Sequence, residues 1–477
     1  MLNVSRRNFL AATAGFGAFT RLAAQPAQRM NVVLILADDL GWADVACNGG
    51  DLHETPNIDA FARAGMRFTD AYSASPVCSP TRASIMTGKH PGRLGLTTWL
   101  ENSTTPERNR KLIAPITASN LPLTETTVAK ALRSQGYTTA LVGKWHLGTG
   151  NYAPEAQGFD VNIGGTHWGA PHTHFYPYRG SRSNGSEYRY VPHLEFGKPG
   201  EYLADRLTDE ALSVIDRCGG NPFFLQLAHH SVHTPLEAKA PDIARFKEKI
   251  KPGLNHQNAV YAAMTWNLDQ SVGRVLQHLR QRGLEHNTVV IFASDNGGAV
   301  HQNNGQAITS NAPLRSGKGS LYEGGVRIPL IVRWPNVTPA GAVCRHPVVS
   351  MDLYSTILDA AGMRGSPELL AGQDGLSLAP LLRDPSARLQ RDELFFHYPH
   401  YYTTTTPVSA VRAGNWKLLE YFEDQHLELY DLASDPGEKN NLSRSNPGMA
   451  ADLSARLRQW RQATHCPMPS LNQDYKA

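Results

Sequence analysis

The stretch Asn31-Val32-Val33-Leu34-Ile35-Leu36-Ala37-Asp38-Asp39 decides the fold. A continuous apolar run rich in β-branched residues is the pattern of a strand buried on both faces, as in a parallel sheet covered by helices. The run stops at two adjacent carboxylates. Three further runs of the same texture follow, at 138–142, 223–228 and 288–293. Each leads into residues able to do chemistry: Lys144-Trp145-His146 after the first, His229, His230 and His233 after the second, and Asp295-Asn296 after the third. In open α/β sheets ligands bind beyond the carboxyl ends of the strands, so parallel pairing brings all four sets to one edge.

Outward from these runs, amphipathic spacing predicts helices over 124–135 (with Gly136 as C-cap), 205–217, 261–281 and 352–361, and a further strand over 326–333. The expected fold is α/β: a large mixed, mostly parallel sheet between helices, spanning 30–383. After Arg383 the texture changes. Asp384-Pro385 marks a break and 401–407 a loop. An antiparallel pair is expected at 410–421 and 426–432, then a helix over 450–462, giving a small α+β C-terminal domain over 384–477.

Composition excludes several classes. With 477 residues, 41% hydrophobic and 18% charged, the chain is too apolar for a disordered protein. Five cysteines (Cys47, Cys78, Cys218, Cys344, Cys466) are too few for a disulfide framework. No window approaches the roughly 20 apolar residues of a membrane-spanning helix. Ser5-Arg6-Arg7-Asn8-Phe9-Leu10, the apolar run to Phe19 and the small residues Ala23 and Ala24 read as a twin-arginine export signal over 1–24, the alternative being a frayed basic N-terminus. The signal implies the twin-arginine export machinery as a partner and a periplasmic or cell-surface location. The net charge of +4 falls to about +1 without that segment, which leaves no global field for gripping nucleic acid. Anions must be handled in a local pocket.

Asp38, Asp39, Asp295 and Asn296 form an all-oxygen set, and three carboxylates brought together repel unless a cation sits among them. Hard oxygen donors suit Ca²⁺ or Mg²⁺ rather than zinc. Taken alone, Asp38-Asp39 also reads as a turn or helix N-cap. His229 and His233 stand four apart, but Pro235 close behind and the preceding strand argue against a helical zinc face. Cys78-Ser79-Pro80-Thr81-Arg82 precedes a segment that suits the first turns of a helix, where a thiolate would be stabilised. A cysteine-phosphatase loop, however, needs a longer spacing to its arginine. Gly375-Leu376-Ser377-Leu378-Ala379 only approaches a nucleophile elbow. An isolated cysteine is by default buried and inert.

The segment from Cys78 to Gly88, together with Leu36–Gly41, Gly143–Gly148, Ser294–Gly298 and Gly317-Lys318-Gly319, resembles the motif set of the type I sulfatases of the alkaline phosphatase superfamily. The similarity runs from about Asn31 into the C-terminal region. The resemblance implies an alkaline phosphatase-like fold and hydrolysis of sulfate esters. It implies that a maturase oxidises Cys78 to Cα-formylglycine (3-oxoalanine), whose hydrate is the nucleophile. Asp38, Asp39, Asp295, Asn296 and the modified Cys78 would bind one Ca²⁺, with Mg²⁺ as the alternative. Arg82 would hold the hydrate, Lys144 and Lys318 the sulfate oxygens. His233 would protonate the leaving alcohol and His146 would assist sulfate release, while His230 is assigned only a supporting place.

Substrate choice should lie in loops. His167, Trp168, His172, His174, His397 and His400, in the aromatic stretches 166–175 and 396–401, suit contact with sugar rings. The texture resembles bacterial polysaccharide sulfatases, so the expected substrate is an O-sulfate on a galactose or N-acetylgalactosamine unit, at its 4-position. Two other readings stand beside this one: a phosphonate or phosphate monoester hydrolase of the same superfamily, and a silent protein that binds sulfated glycan.

Overall fold

The computed structural model describes residues 29–104, 109–181, 185, 187–303, 305–363, 369 and 372–476. The expected export signal over 1–24 lies outside them. The strands that position the site are β1 (Asn31–Ala37), β2 (Met66–Phe68), β3 (Thr138–Gly143), β4 (Val161–Ile163), β5 (Phe223–Ala228), β6 (Thr288–Ser294), β7 (Leu330–Arg333) and β8 (Ala342–Cys344). They form one eight-stranded sheet in the order β8-β2-β7-β6-β1-β5-β3-β4. β1 pairs in parallel with β6 (Asn31 against Thr288) and with β5 (Val32 against Phe224), and β3 pairs in parallel with β5. β7 runs antiparallel to β6 and β2. The sheet is therefore mixed and mostly parallel, and the four runs end at one edge as parallel pairing requires.

Alternation along β1 shows why the run had to be apolar throughout. Val32, Leu34 and Leu36 enter one core, with Leu132, Leu353 and Ile357; Val33, Ile35 and Ala37 enter the other, with Ile58, Leu207 and Val272. Helices cover both faces: α1 (Pro56–Ala64), α2 (Cys78–Thr87), α3 (Val128–Ser134), α4 (Leu203–Arg217), α5 (Ala259–Gln281) and α6 (Asp352–Ala360). Each fully buried Val, Leu or Ile contributes about 1.5–3 kcal/mol.

A second, antiparallel sheet follows, made of β9 (Glu393–Tyr398), β10 (Val408–Ala413), β11 (Trp416–Tyr421) and β12 (Leu427–Asp431), with α7 (Pro447–Thr464) behind it. Val411, Leu418 and Leu429 face Leu453 and Leu457 of α7, while Val408, Ala410 and Leu419 pack on Tyr72, Val77 and Leu321. The second sheet thus backs the loops that carry Cys78 and Lys318.

Three expected elements are corrected. The helix expected from 124 begins at Val128, because Thr127 caps it by accepting from the Lys130 amide at 3.1 Å. The strand expected from 326 begins at Leu330. Val326 closes a short helical turn, Glu323–Val326, and Pro329 has no N–H for the ladder. The single strand expected over 410–421 is two, β10 and β11, folded back at Gly414 (φ 57°) with Ala413 opposite Trp416.

Candidate active site

Residues following the strand ends converge. The Asp38 amide donates to the Ser231 carbonyl at 2.9 Å, and the Asp39 amide to Asp295 Oδ1 at 3.2 Å. Asp39 adopts φ 62°, a left-handed conformation that costs a non-glycine residue on the order of 1 kcal/mol. Asn296 Nδ2 donates to Asp39 Oδ1 at 2.8 Å. Lys144 enters from β3 through Gly143, whose φ is 103° and whose missing Cβ would stand 1.9 Å from the Ala228 carbonyl oxygen; only glycine lets the two strand ends approach so closely. Lys144 Nζ then donates to Asp38 Oδ2 at 2.7 Å, and Lys318 Nζ to Asp39 Oδ2 at 2.8 Å.

Cys78 opens α2 after Val77 in an extended conformation, and every residue of this helix is buried. Arg82, one turn on and on the same face, donates through Nε to Asp295 Oδ2 at 2.8 Å and through Nη1 to the Lys144 carbonyl at 2.9 Å. Its Nη2 makes no hydrogen bond among the described residues and lies 4.0 Å from Asp38 Oδ1. Burial pushes the Cys78 thiol up to about 12, with Asp295 and Asp38 adding to the rise against Lys144 and Lys318. Burial thus works against the thiolate form that a helix N-terminus by itself would favour.

Electrostatics test whether a cation fits. Asp38 is raised well above the usual carboxylate range, by burial first, with Asp295 and Asp39 adding to the rise against Lys144 and Arg82. Asp39 and Asp295 are held low despite burial, the former mainly by Lys318 and the latter by Arg82 and Lys144. The three carboxylates meet three cations, Lys144, Lys318 and Arg82, and only Asp38 is driven towards its neutral form. Asp38 Oδ1 and Asn296 Oδ1 are buried and accept no hydrogen bond among the described residues. Ligand atoms of Asp38, Asp39, Cys78 and His233 lie within 4.8 Å of one another. Clustered carboxylate and amide oxygens with acceptor capacity left over are hard donors that fit a divalent cation.

The histidines separate by environment. His233 Nδ1 donates to the Thr234 carbonyl at 2.7 Å, leaving Nε2 3.5 Å from Asp39 Oδ2; burial and then Lys318 push it down to about 3. His230 is buried with both ring nitrogens unpartnered among the described residues, and it faces Lys144, His174, Arg82 and His233. His229 is bound to Ser271 Oγ at 2.8 Å in the core beneath. His146, at φ 60°, contacts Glu101 Oε2 through Nε2 at 2.7 Å.

The residues expected to contact sugar are not brought together. His167 lies against Trp168, with ring centroids 3.7 Å apart, and Arg189 covers the tryptophan face; this pair is half-buried. His172 packs on Gly180. His174 is buried, its Nε2 3.2 Å from the His233 carbonyl. His397 sits inside the second sheet with Nδ1 2.6 Å from Ser409 Oγ and Nε2 2.8 Å from the Pro467 carbonyl. Both nitrogens are taken, so His397 is a structural residue. His400 is likewise buried, bound to Thr97 Oγ1 at 2.7 Å.

Sequence reasoning passed over four neighbours. Tyr402 packs its ring against Gly319 (φ 90°) and edge-on to Trp99, and its phenol feels Lys318, Asp39 and Cys78. His301 feels Lys318 and Asp39. Asn311 ties the Lys318 loop by donating to the Gly298 and Ser316 carbonyls. Glu101 holds His146. Only Tyr402 had a signal, since it adjoins the aromatic stretch ending at Tyr401. A second buried cluster, Asp44, His53 and His256, lies under the Asp39 turn. His256 faces oxygen on both sides, Asp51 Oδ1 at 2.6 Å and the Ser310 carbonyl at 2.9 Å, so it is a donor there and a poor metal ligand.

Comparisons with known proteins agree with this geometry. A family model described as Sulfatase matches residues 30–363, and one described as N-sulphoglucosamine sulphohydrolase, C-terminal, matches 317–463. A sulfatase of Formosa agariphila is 32% identical, over 92% of this chain and 90% of that protein. The human N-acetylgalactosamine-6-sulfatase is 31% identical, over 93% and 88%. The crystal structure of Ps i-CgsB in complex with k-i-k-neocarrahexaose is 32% identical at a TM-score of 0.73, covering 91% of this chain and 93% of that one.

Proposed function

Because the chain belongs to the sulfatase family and hydrolyses sulfate esters, we propose that its substrate is a sulfated glycan bearing O-sulfate on a galactose or N-acetylgalactosamine unit. The convergence of Asp38, Asp39, Asp295 and Asn296 at the buried N-terminus of the Cys78 helix, with Asp38 Oδ1 and Asn296 Oδ1 accepting no hydrogen bond among the described residues, supports the catalytic centre, and the similarity to N-acetylgalactosamine-6-sulfatase supports the sugar.

In this reading Cys78 is converted to Cα-formylglycine by a maturase, and Asp38, Asp39, Asp295 and Asn296 hold Ca²⁺. The hydrate of that aldehyde would supply the nucleophilic oxygen, and a cation held by these four residues would offset negative charge on the sulfate. Arg82, fixed by Asp295 and the Lys144 carbonyl, keeps Nη2 free to hold the modified side chain. Lys144 and Lys318 are point charges beside the carboxylates and orient the sulfate. His233 keeps its proton on Nδ1 when neutral; a bound anion beside Nε2 raises its affinity for a second proton, which it passes to the leaving alcohol. His146 accepts a proton during sulfate release.

Aromatic rings adjoin these groups: Tyr402 packs on Gly319 next to Lys318 and edge-on to Trp99, and His167 and Trp168 precede Gly169, whose amide is bound by Glu101. Flat rings of this kind suit a sugar. The twin-arginine reading of the N-terminus places the enzyme in the periplasm or at the cell surface, where glycans are met. Among the described residues no helix is long and apolar enough to cross a membrane.

The test is a panel of defined oligosaccharides sulfated at galactose or N-acetylgalactosamine O4 or O6, incubated with matured protein in calcium and in chelator, with free sulfate counted. Release from these sugars in calcium supports the proposal. Release only from glucosamine or aryl sulfates, or from phosphate esters at equal rate, overturns it.

A further inference from the structure

We propose that Glu101 is the positioning residue of the active site, fixing which nitrogen of His146 carries the proton and tying that histidine to the loop that carries His167 and Trp168. The inference deepens the sulfatase reading and rests on it.

Glu101 lies in a 3-10 helix, Leu100–Thr104, outside the motifs around the site and 45 residues before His146. Its two oxygens have different tasks. Oε2 lies 2.7 Å from His146 Nε2, and Oε1 accepts the Gly169 amide at 2.8 Å. An ionised carboxylate only accepts, so the short contact to Nε2 is an N–H donated by His146. A neutral imidazole with its hydrogen on Nε2 carries its lone pair on Nδ1. That nitrogen is buried and has no partner among the described residues. The charged groups that face the ring are Glu101 from the 3-10 turn, Lys144 from its own strand end, and Arg82 from α2. The lone pair of Nδ1 is thereby held ready on the side away from Glu101.

The second oxygen explains why a carboxylate is needed. The imidazole N–H and the Gly169 amide both donate to Glu101, one to each oxygen, and a glutamine has one acceptor oxygen for the two of them. Gly169 follows His167 and Trp168 directly, and the His146 amide donates to the Thr166 carbonyl at 2.8 Å. Arg189 completes the tie. It reaches the Ala170 carbonyl at 3.2 Å, lies 3.8 Å from Glu101 Oε1, and covers the Trp168 ring. Glu101 thus joins the group that moves a proton to the loop that carries these aromatic rings. Burial pushes Glu101 up, but His146 and the Gly169 amide outweigh it and hold the carboxyl well below its usual range.

Two measurements test this. The first is the ¹⁵N resonance of His146 in histidine-labelled protein with Cys78 unconverted, which needs no aldehyde and no turnover. In the wild type Nδ1 resonates as an unprotonated nitrogen; in Glu101→Ala the two tautomers mix. The second is steady-state sulfate release by matured protein. Glu101→Ala lowers kcat by about 100-fold with KM within about twofold, and Glu101→Gln falls between it and the wild type. A protonated Nδ1 in the wild type overturns the proposal, and so does a Glu101→Ala variant whose tautomer and kcat match the wild type. Matured wild type that releases no sulfate would instead overturn the sulfatase reading, while the tautomer measurement still decides what Glu101 does.

Discussion

Lys144 Nζ lies 2.7 Å from Asp38 Oδ2, and both side chains are fully shielded from water. Asp38 belongs to the proposed cation site and Lys144 to the proposed sulfate grip, so one ion pair joins metal and substrate. The other oxygen of Asp38 accepts no hydrogen bond among the described residues, with Arg82 Nη2 4.0 Å away, and burial raises the group towards its neutral form.

Replacing Lys144 with alanine leaves that carboxylate without its main counter-charge. Breaking a buried pair from one side costs about 3–5 kcal/mol. The melting temperature of Lys144→Ala should fall further in chelator than in calcium, because a bound cation takes over the neutralisation. Thermal melts in the two buffers decide; equal losses in both would remove the cation from Asp38. Sulfate release should drop at least about 100-fold in kcat/KM.

Cys78→Ala should abolish turnover and leave the fold intact, since a small buried side chain replaces another small one. Cys78→Ser should nearly do the same. In matured wild type the peptide carrying Cys78 should weigh less than its unmodified counterpart by mass spectrometry. Full activity in a preparation whose Cys78 is an intact thiol would contradict the mechanism.

His397→Asn should lower stability by about 1–3 kcal/mol, because the Ser409 hydroxyl or the Pro467 carbonyl is left poorly paired inside the second sheet. KM for any sulfated sugar should stay within about twofold of the wild type. A large rise in KM without loss of stability would return His397 to the substrate site.

His256 gives a pH dependence. Burial alone lowers its affinity for a proton, but hydrogen bonds and charges from Asp44 and Asp51 overcome this and raise it to about 9. A histidine raised above its unfolded value of about 6.5 contributes stability that is fully present below that pH and lost as pH rises through about 9. Denaturant melts should therefore show the wild type weakening between about pH 6.5 and 9 relative to His256→Gln. A constant difference across that window would show that the ring is neutral. Tyr261, bound to both Asp44 and the Asp39 carbonyl, carries the effect towards the Asp39 turn.

Sequence made the strand-end residues legible for a simple reason. A strand buried on both faces must be apolar along its whole length, so Asp38, Lys144 and Asp295 stand out where the runs stop. Glu101 offered no such mark. It sits in a short turn after Trp99-Leu100 and before Asn102, and nothing in its spacing relates it to His146. The stretch 396–401 misled for the opposite reason: His397 and Phe396 alternate along a strand, and a histidine in a sheet interior looks the same in sequence as one at a pocket.

The order of apolar runs and the polar groups behind them determined the α/β architecture, the parallel core and the sheet edge at which chemistry gathers. These follow from burial, which acts on each segment by itself. Tertiary structure alone decided which charges meet. Arg82 on Asp295, Lys318 on Asp39 and Glu101 on His146 each join segments far apart in the chain, and a charge interacts through space with whatever the fold brings near it, whatever its place in the sequence.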